Sequence, residues 1–249
     1  MNSLNVSGRL IPYWEFLSEL KNVELHLDVG CDRGDLTLVV HSWLEPCATH
    51  GVDVNESSIS YANSVHASSN ESLKFYSNIK DLDQNRYELV TAFEVLEHVS
   101  DEKGFLEFIN SKLERDGQLV LSVPHSGLFD FLDPFNYRFL IPKSIFRAVY
   151  KMVKGQYPVF DDRPKHKHFS KNELFDLIEK SGFEILKHKR YGFLFFYLKW
   201  IYSDLFDKRF NSSRVYKFVW IILNWLQDFE MRRSFSIFSA GILIQARKK

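Results

Sequence analysis

Apolar strands and amphipathic helices alternate through the first half of this chain, and few folds accept that rhythm. Leu25–Val29 (LHLDV) reads as a strand ending in a glycine turn, with a helix over Asp35–Leu44 behind it. Thr49–Val54 and Leu73–Ser77 read as the next strands, with a helix over Ser57–Ser68 between them. Tyr87–Phe93 (YELVTAF) is nearly all apolar, as a strand covered on both faces must be. A helix over Glu102–Leu113, a turn at Glu114–Gly117 and a strand over Gln118–Val123 follow, stopped by Pro124. Further on, Ser170-Lys171-Asn172-Glu173 forms a capping box that opens a helix ended by Gly182. Phe183–Tyr191 and Phe235–Arg247 read as the last two strands. The class that follows is α/β, with a doubly wound, Rossmann-like, seven-stranded and mostly parallel sheet.

Two segments break the rhythm. Residues 126–165 carry Pro134, Pro142, Pro158 and Pro164 among many aromatics, and they are too long for an ordinary connection. Residues 192–234 show helical apolar spacing, and 14 aromatics fall within the 39 residues from Tyr191 to Phe229. The expected organisation is one domain over 1–249 whose two insertions form a helical cap. Composition agrees: 45% apolar and 26% charged residues support a solvated core and exclude a disordered chain, a coiled coil or a collagen-like repeat.

Two cysteines, Cys31 and Cys47, cannot make a disulfide framework, so a reducing, cytoplasmic setting is expected. The N-terminus lacks the apolar run of a signal peptide, and the longest apolar candidate, Phe218–Leu226, is too short to cross a bilayer. The formal net charge of zero argues against nucleic-acid binding by the chain as a whole. It hides an asymmetry, because residues 185–249 hold 13 Lys+Arg and 4 Asp+Glu, a net of +9, leaving −9 elsewhere.

The first strand runs into Gly30-x-Asp32-x-Gly34 at the head of a helix. Glycine there lets a ligand approach the backbone, and the helix start offers free N–H groups. The second strand ends in Asp53, 23 residues after Gly30, where an acid can accept both hydroxyls of a ribose. Beyond the fourth strand, Glu94, Glu97 and His98 share one face of a helical turn. His166 and His168 fall on one side of an extended stretch. Two carboxylates with one or two imidazoles can hold Mg²⁺, Mn²⁺ or Zn²⁺, and His98 can equally serve as a metal-free general base.

These residues resemble the class I S-adenosylmethionine-dependent methyltransferases over about residues 24–125 and 166–191 plus the last strand. Asp28 through Gly34, with Asp28, Gly30, Cys31, Asp32 and Gly34 as contacts, matches that family's first motif. Asp53 and Val54 match the ribose-binding position, and Ser77–Ile79, with Asn78 and Ile79, the loop beside the adenine. ELVTAFEVLEHV, with Glu94 reaching the cofactor, and LERDGQLVLSVP match the fourth- and fifth-strand motifs. Dinucleotide dehydrogenases compete for the glycine turn, but the Glu-Val-Leu-Glu-His run favours the methyltransferases. The resemblance implies S-adenosylmethionine as cofactor, a strand order of 3-2-1-4-5-7-6, and methyl transfer to an acceptor oxygen. One departure stands out: Asp32 occupies a position where the family usually has Gly. Asp is among the few residues that tolerate a positive φ, and its carboxylate would repel the cofactor's carboxylate or pair with its ammonium.

The Glu-x-x-Glu-His run with a later His is similar to two branches. One is the ubiquinone-pathway O-methyltransferases. The other is the plant-type small-RNA 2′-O-methyltransferases, whose divalent ion would fall on Glu94, Glu97, His98 and His168 (or His166). His98, Glu94 and His168 are therefore the catalytic candidates. The aromatic cap points to a small or lipid-linked hydroxylated acceptor, such as a cell-envelope glycan or lipid precursor. Its Lys and Arg fit an interfacial helix on an anionic membrane, which would make the protein peripheral; packing onto the body, a lid or a homodimer interface are the alternatives. RNA ranks lower, because the aromatics lie in apolar helices and not on a strand platform. A third alternative is a non-catalytic partner protein in which Asp32 abolishes cofactor binding.

Overall fold

Central strand β1 (Leu25–Val29) pairs in parallel with β2 (Ala48–Val52) on one side and β4 (Tyr87–Phe93) on the other. The computed structural model describes residues 6–82, 86–128, 130–133, 142–155, 166–210 and 213–249. Beyond β2 lies β3 (Leu73–Tyr76), and beyond β4 lies β5 (Leu113–Pro124), both parallel to their neighbours. The last strand, β7 (Gly241–Lys248), inserts antiparallel between β5 and β6 (Phe183–Tyr191). The order β3-β2-β1-β4-β5-β7-β6 is the one the resemblance implies.

Side-chain alternation divides the core between the sheet's two faces. Val90, Ile242 and Ile244 pack one way, against Leu106 and Ile109 of α4 (Glu102–Lys112) and Leu174 and Ile178 of α6 (Lys171–Lys180). Leu89, Val120 and Leu243 pack the other way, against Val40 of α2 (Asp35–Leu44) and Phe16 of α1 (Leu10–Leu17). α3 (Glu56–Val65) places Ile59 and Ala62 against Leu73 and Phe75.

Three differences from the sequence reading have physical reasons. Helix α1 has no strong start signal, yet Ile11, Tyr13, Phe16 and Leu17 are all buried, so packing stabilises it. The expected turn Glu114–Gly117 lies inside β5, whose register against β4 jumps from Tyr87↔Leu113 to Leu89↔Gln118. Asp116, at φ 65, turns the chain there. β7 starts only at Gly241, because Ser236–Phe238 forms a 3₁₀ turn first. In the first insertion, α5 (Lys143–Lys154) is a helix; residues 129, 134–141 and 156–165 of that expected cap lie outside the described residues.

The second insertion is a pair of helices, α7 (Leu194–Phe210) and α8 (Arg214–Met231). They meet through Tyr202 stacked on Tyr216 at 5.0 Å and Lys199 over the Trp220 ring at 4.9 Å. Glu230 of α8 accepts hydrogen bonds from the Phe195 and Phe196 N–H groups and so caps α7. Both insertions leave from one edge of the sheet, where Pro124 and Tyr191 each pair with Gly241. They are tied together there by Leu128 N–H donating to the Ile237 carbonyl at 2.8 Å.

Candidate active site

The turn after β1 is built for close approach. Gly30 and Gly34 both have φ 78, in the left-handed region. A Cβ on Gly30 would stand 2.3 Å from Val95 Cγ2, and one on Gly34 2.7 Å from the Phe75 ring. Helix α2 starts at Gly34 with no side-chain cap, so its first N–H groups remain available to an anionic or polar ligand. Asp32, at φ 44, carries its left-handed backbone with the carboxylate tied down, accepting from Ser58 Oγ at 2.6 Å. Asp53 accepts from the Asp32 and Asn55 N–H groups, both at 2.9 Å, which fixes its half-exposed carboxylate beside the turn. Val54, 93% exposed, and the exposed Asn78 and Ile79 complete an open ledge where β2 and β3 end side by side.

Two of the expected residues are buried at this turn. Asp28 is buried beneath the turn and spends its oxygens on Thr37 Oγ1 (2.5 Å) and Thr91 Oγ1 (2.7 Å). It clamps β1, α2 and β4 together. Burial pushes its carboxyl up to about 6 against the opposing effect of those two hydroxyls. Behind Thr91, the buried His26 Nε2 lies 2.8 Å from the same hydroxyl. Since that hydroxyl donates to Asp28, His26 must carry its proton on Nε2, and burial holds its pKa down to about 3. Cys31 is also buried, and burial followed by the charges of Asp28 and Asp53 pushes its thiol well up.

The end of β4 holds the chemistry. Glu94 sits at φ 56 just past the strand, and its N–H bonds back to Ser122. Strained non-glycine backbone of this kind concentrates at functional sites. Glu94 Oε1 accepts from Ser122 Oγ at 2.6 Å and Tyr191 Oη at 3.1 Å. With Ser122 committed as donor, Tyr13 Oη donates to Ser122 at 3.1 Å, its ring stacked on Phe93. Burial, then the charge of Glu97, raises the Glu94 carboxyl to about 7. The unpredicted helix α1 thus supports this acid from below.

Glu97 and His98 follow on a 3₁₀ turn, Leu96–His98. The Glu97 carboxylate is fully buried, and neither oxygen has a hydrogen-bond partner among the described residues. His166 Nε2 lies 3.6 Å and His98 Nε2 4.0 Å from its Oε1. The two imidazoles lie 4.9 Å apart at 30°, with His98 the exposed member. On its other side, His166 Nδ1 meets Asp133 Oδ2 at 2.8 Å, and His168 Nε2 meets the same oxygen at 2.7 Å. Burial alone would lower the pKa of His166, but the hydrogen bond of Asp133 and the charges of Asp133 and Glu97 prevail and push it up to about 9.

The expected quartet of Glu94, Glu97, His98 and His168 therefore does not close. Glu94 is engaged by Ser122 and Tyr191, and His166, not His168, reaches Glu97. Among the described residues two triads with metal-ligand spacing result, Glu97–His98–His166 and Asp133–His166–His168, sharing His166. Asp133 is the member sequence reasoning missed. A small hollow lined by Asn22, Glu88, Arg115 and Gly117 lies at the opposite edge of the sheet, where β4 and β5 begin, and takes no part.

Strand order, glycine turn, ribose-type acid and the acid–imidazole group past β4 together define the fold of class I S-adenosylmethionine-dependent methyltransferases. The profile of the methyltransferase domain family matches residues 5–188, and the chain belongs to that family. A search of curated proteins found no sequence match. Among solved structures, an S-adenosylmethionine-dependent methyltransferase from Mesorhizobium loti is similar over 96% of this chain and 98% of its own, at 17% identity and a TM-score of 0.55. The [4+2]-cyclase SpnF is similar over 95% and 79%, at 14% identity and 0.61. Magnesium protoporphyrin IX methyltransferase from Synechocystis, solved with bound SAH, is similar over 96% and 80%, at 13% and 0.50. At these identities the likeness is one of fold. No described helix is long and apolar enough to cross a membrane.

Proposed function

We propose that this protein transfers a methyl group from S-adenosylmethionine to a hydroxyl of a small or lipid-linked acceptor. The observation that carries the reading is the buried Glu97 carboxylate, without a hydrogen-bond donor among the described residues, set between His98 and His166 at the edge that bears the glycine turn. A buried carboxylate needs a positive partner, so the site is arranged to hold charge beside the place where a hydroxyl would lose its proton. The uncapped start of α2, the fixed Asp53 and the apolar ledge of Val54 and Ile79 fit the cofactor's carboxylate, ribose and adenine in turn. When bound, S-adenosylmethionine supplies a methyl group already activated on its sulfonium. The chain's own task is then positioning and one proton transfer. Exposed His98 takes the acceptor's proton; His166, held between Glu97 and Asp133, balances the buried charge; Glu94 shapes the floor.

An acceptor with an apolar part fits the rim where the insertions meet. Leu128 (59% exposed) and Ile237 (57%) are joined there by the backbone, and Phe193 stacks on Phe235 at 5.1 Å. The branch closest to the ubiquinone-pathway O-methyltransferases would supply such an acceptor.

A second reading rests on the same orphaned carboxylate: a divalent ion, and not an imidazolium, is its partner. Glu97, His98 and His166 would hold it, with Asp133 and His168 orienting His166 from behind. One carboxylate and two imidazoles suit Zn²⁺ or Mn²⁺ better than the oxygen-seeking Mg²⁺. Such an ion would acidify the acceptor hydroxyl.

Calorimetric titration with S-adenosylhomocysteine, with and without Zn²⁺ or Mn²⁺, tests both. Micromolar binding supports the methyltransferase reading and opens an acceptor screen among hydroxylated lipid-linked compounds. No binding in any condition overturns it.

A further inference from the structure

Helix α8 wears its apolar side outward. Tyr216, Gln227, Glu230 and Met231 form its buried face, while Val215 (72% exposed), Phe218 (65%), Ile221 (65%) and Trp225 (67%) stand in solvent. Exposed Ile222 and Phe229 fill the gaps. At 100° per residue these six fall within an arc of about 120° and extend along about 20 Å of helix. Singly exposed apolar residues need no explanation, but a continuous stripe of this size does.

The charges on the helix are sorted as sharply. Its acids point into the protein: Asp228 accepts from the Gly8 N–H at 2.6 Å, and Glu230 caps α7. Its exposed charges are all cations, Arg214 and Lys217 in the first turn and Arg232 and Arg233 at the end, with the Arg233 guanidinium 4.2 Å from the Phe229 ring. Helical geometry puts Arg214 and Arg232 within the apolar arc itself, one at each end. A second copy is thereby disfavoured as the occupant. Paired antiparallel, the stripe would set Arg214 against its partner's arginines at 232 and 233, and paired parallel, arginine against arginine. An apolar stripe with aromatic members, ended by cations and cleared of acids, is complementary to lipid tails beneath anionic headgroups.

We propose that the outward face of α8 is a membrane-docking surface that seats this domain on an anionic lipid bilayer. α8 leads into β7, whose first residue, Gly241, pairs with the ends of β5 and β6, so the docking helix is anchored at the sheet edge that carries the site. The surface stands whatever the acceptor proves to be.

The test is co-sedimentation of the full chain with vesicles of equal phosphatidylglycerol and phosphatidylcholine, against vesicles of phosphatidylcholine alone. Binding is expected to the first and to be weak or absent on the second. Replacing Phe218→Ser together with Trp225→Ser should weaken it by about tenfold or more through lost apolar burial. Arg214→Glu with Arg232→Glu should weaken it by at least about twentyfold, each lost cation being worth about fivefold. Unchanged thermal midpoints would show that both variants are folded. Equal binding to both vesicle types, no binding to either, or wild-type binding by the folded variants would overturn the proposal. So would a solution dimer that the Phe218 and Trp225 substitutions dissociate, since the stripe would then belong to a second copy.

Discussion

Two carboxylates lie buried at neighbouring ends of the same sheet, and they are treated oppositely. Asp28 has both oxygens satisfied by threonine hydroxyls, and a neutral histidine backs one of those threonines. Glu97 has no hydrogen-bond donor among the described residues, only imidazole nitrogens beyond hydrogen-bonding reach. Asp28 is a finished piece of architecture. Glu97 is balanced only through space, by His166 at 3.6 Å, and a buried charge without its hydrogen bonds is what a reactive site keeps available.

Removing Glu97 should produce the largest effect. If an ion completes the cluster, Glu97→Gln lowers affinity for Zn²⁺ or Mn²⁺ by about a hundredfold or more, read by calorimetry. His166→Ala, which breaks both triads, should do at least as much. The same Glu97→Gln protein, free of metal, should lose little stability, because no hydrogen bond to Glu97 is broken and His166 keeps its bond to Asp133. Loss of stability by about 2 kcal/mol or more in a denaturant titration would show that Glu97 is already satisfied. Failure of the parent to bind either metal, with S-adenosylhomocysteine still bound, would assign its counter-charge to imidazolium.

Asp28 should behave the other way. Asp28→Ala strands two buried hydroxyls and unlocks three elements, so it should cost about 2–4 kcal/mol. That corresponds to a fall in thermal midpoint of roughly 4–16 °C for a chain of this size. A change under about 0.5 kcal/mol would remove the distinction between the two acids.

How far the contrast was legible in the sequence depends on what kind of neighbour each residue has. The strands, the glycine turn and the Glu-x-x-Glu-His group follow from local pattern, because each residue's surroundings are set by its own strand or turn, while the strand order comes from the family resemblance. Asp133 does not, since its partners His166 and His168 lie 33 and 35 residues away and its own segment, rich in proline and aromatics, shows no period. The inward turn of Asp28 was hidden for a related reason. A motif places it at the cofactor turn, while strand alternation, which buries it under Thr37 and Thr91, is felt only once α2 and β4 are packed. The supporting hydroxyls of Tyr13 and Tyr191 come from elements on either side of the sheet's sequence and had no signal at all.

Titration sharpens the comparison from the architectural side. Asp28 is raised from 3.8 to about 6 in the folded protein. The folded state therefore favours the protonated acid. Its contribution is fully present below about pH 4 and is lost as pH rises through about 6. His26 is lowered from 6.5 to about 3, so its contribution is present above about pH 6.5 and is lost as pH falls towards 3. Asp28→Asn should flatten the decline in stability between about pH 4 and 6, whereas replacing His26→Gln should flatten the decline on the acid side of about pH 6.5. Thermal midpoints across that range separate the two; identical profiles for parent and Asp28→Asn would mean that the acid titrates normally.

Asp32 should give the smallest effect, and it decides on which side of the comparison the cofactor turn falls. Its left-handed backbone costs an L-residue about 1 kcal/mol relative to glycine, less for Asp than for most. Its bond from Ser58 returns about 0.5–1.5 kcal/mol. Those amounts offset, so Asp32→Gly should change stability by less than about 1 kcal/mol. The carboxylate is already held by a hydroxyl at the start of α3, as Asp28 is held by its threonines. It is therefore an architectural acid, and the glycine variant should bind S-adenosylhomocysteine within about threefold of the parent. A gain of tenfold or more would show that the carboxylate opposes the ligand across the turn, which would place Asp32 with Glu97 as a charge that waits for a partner.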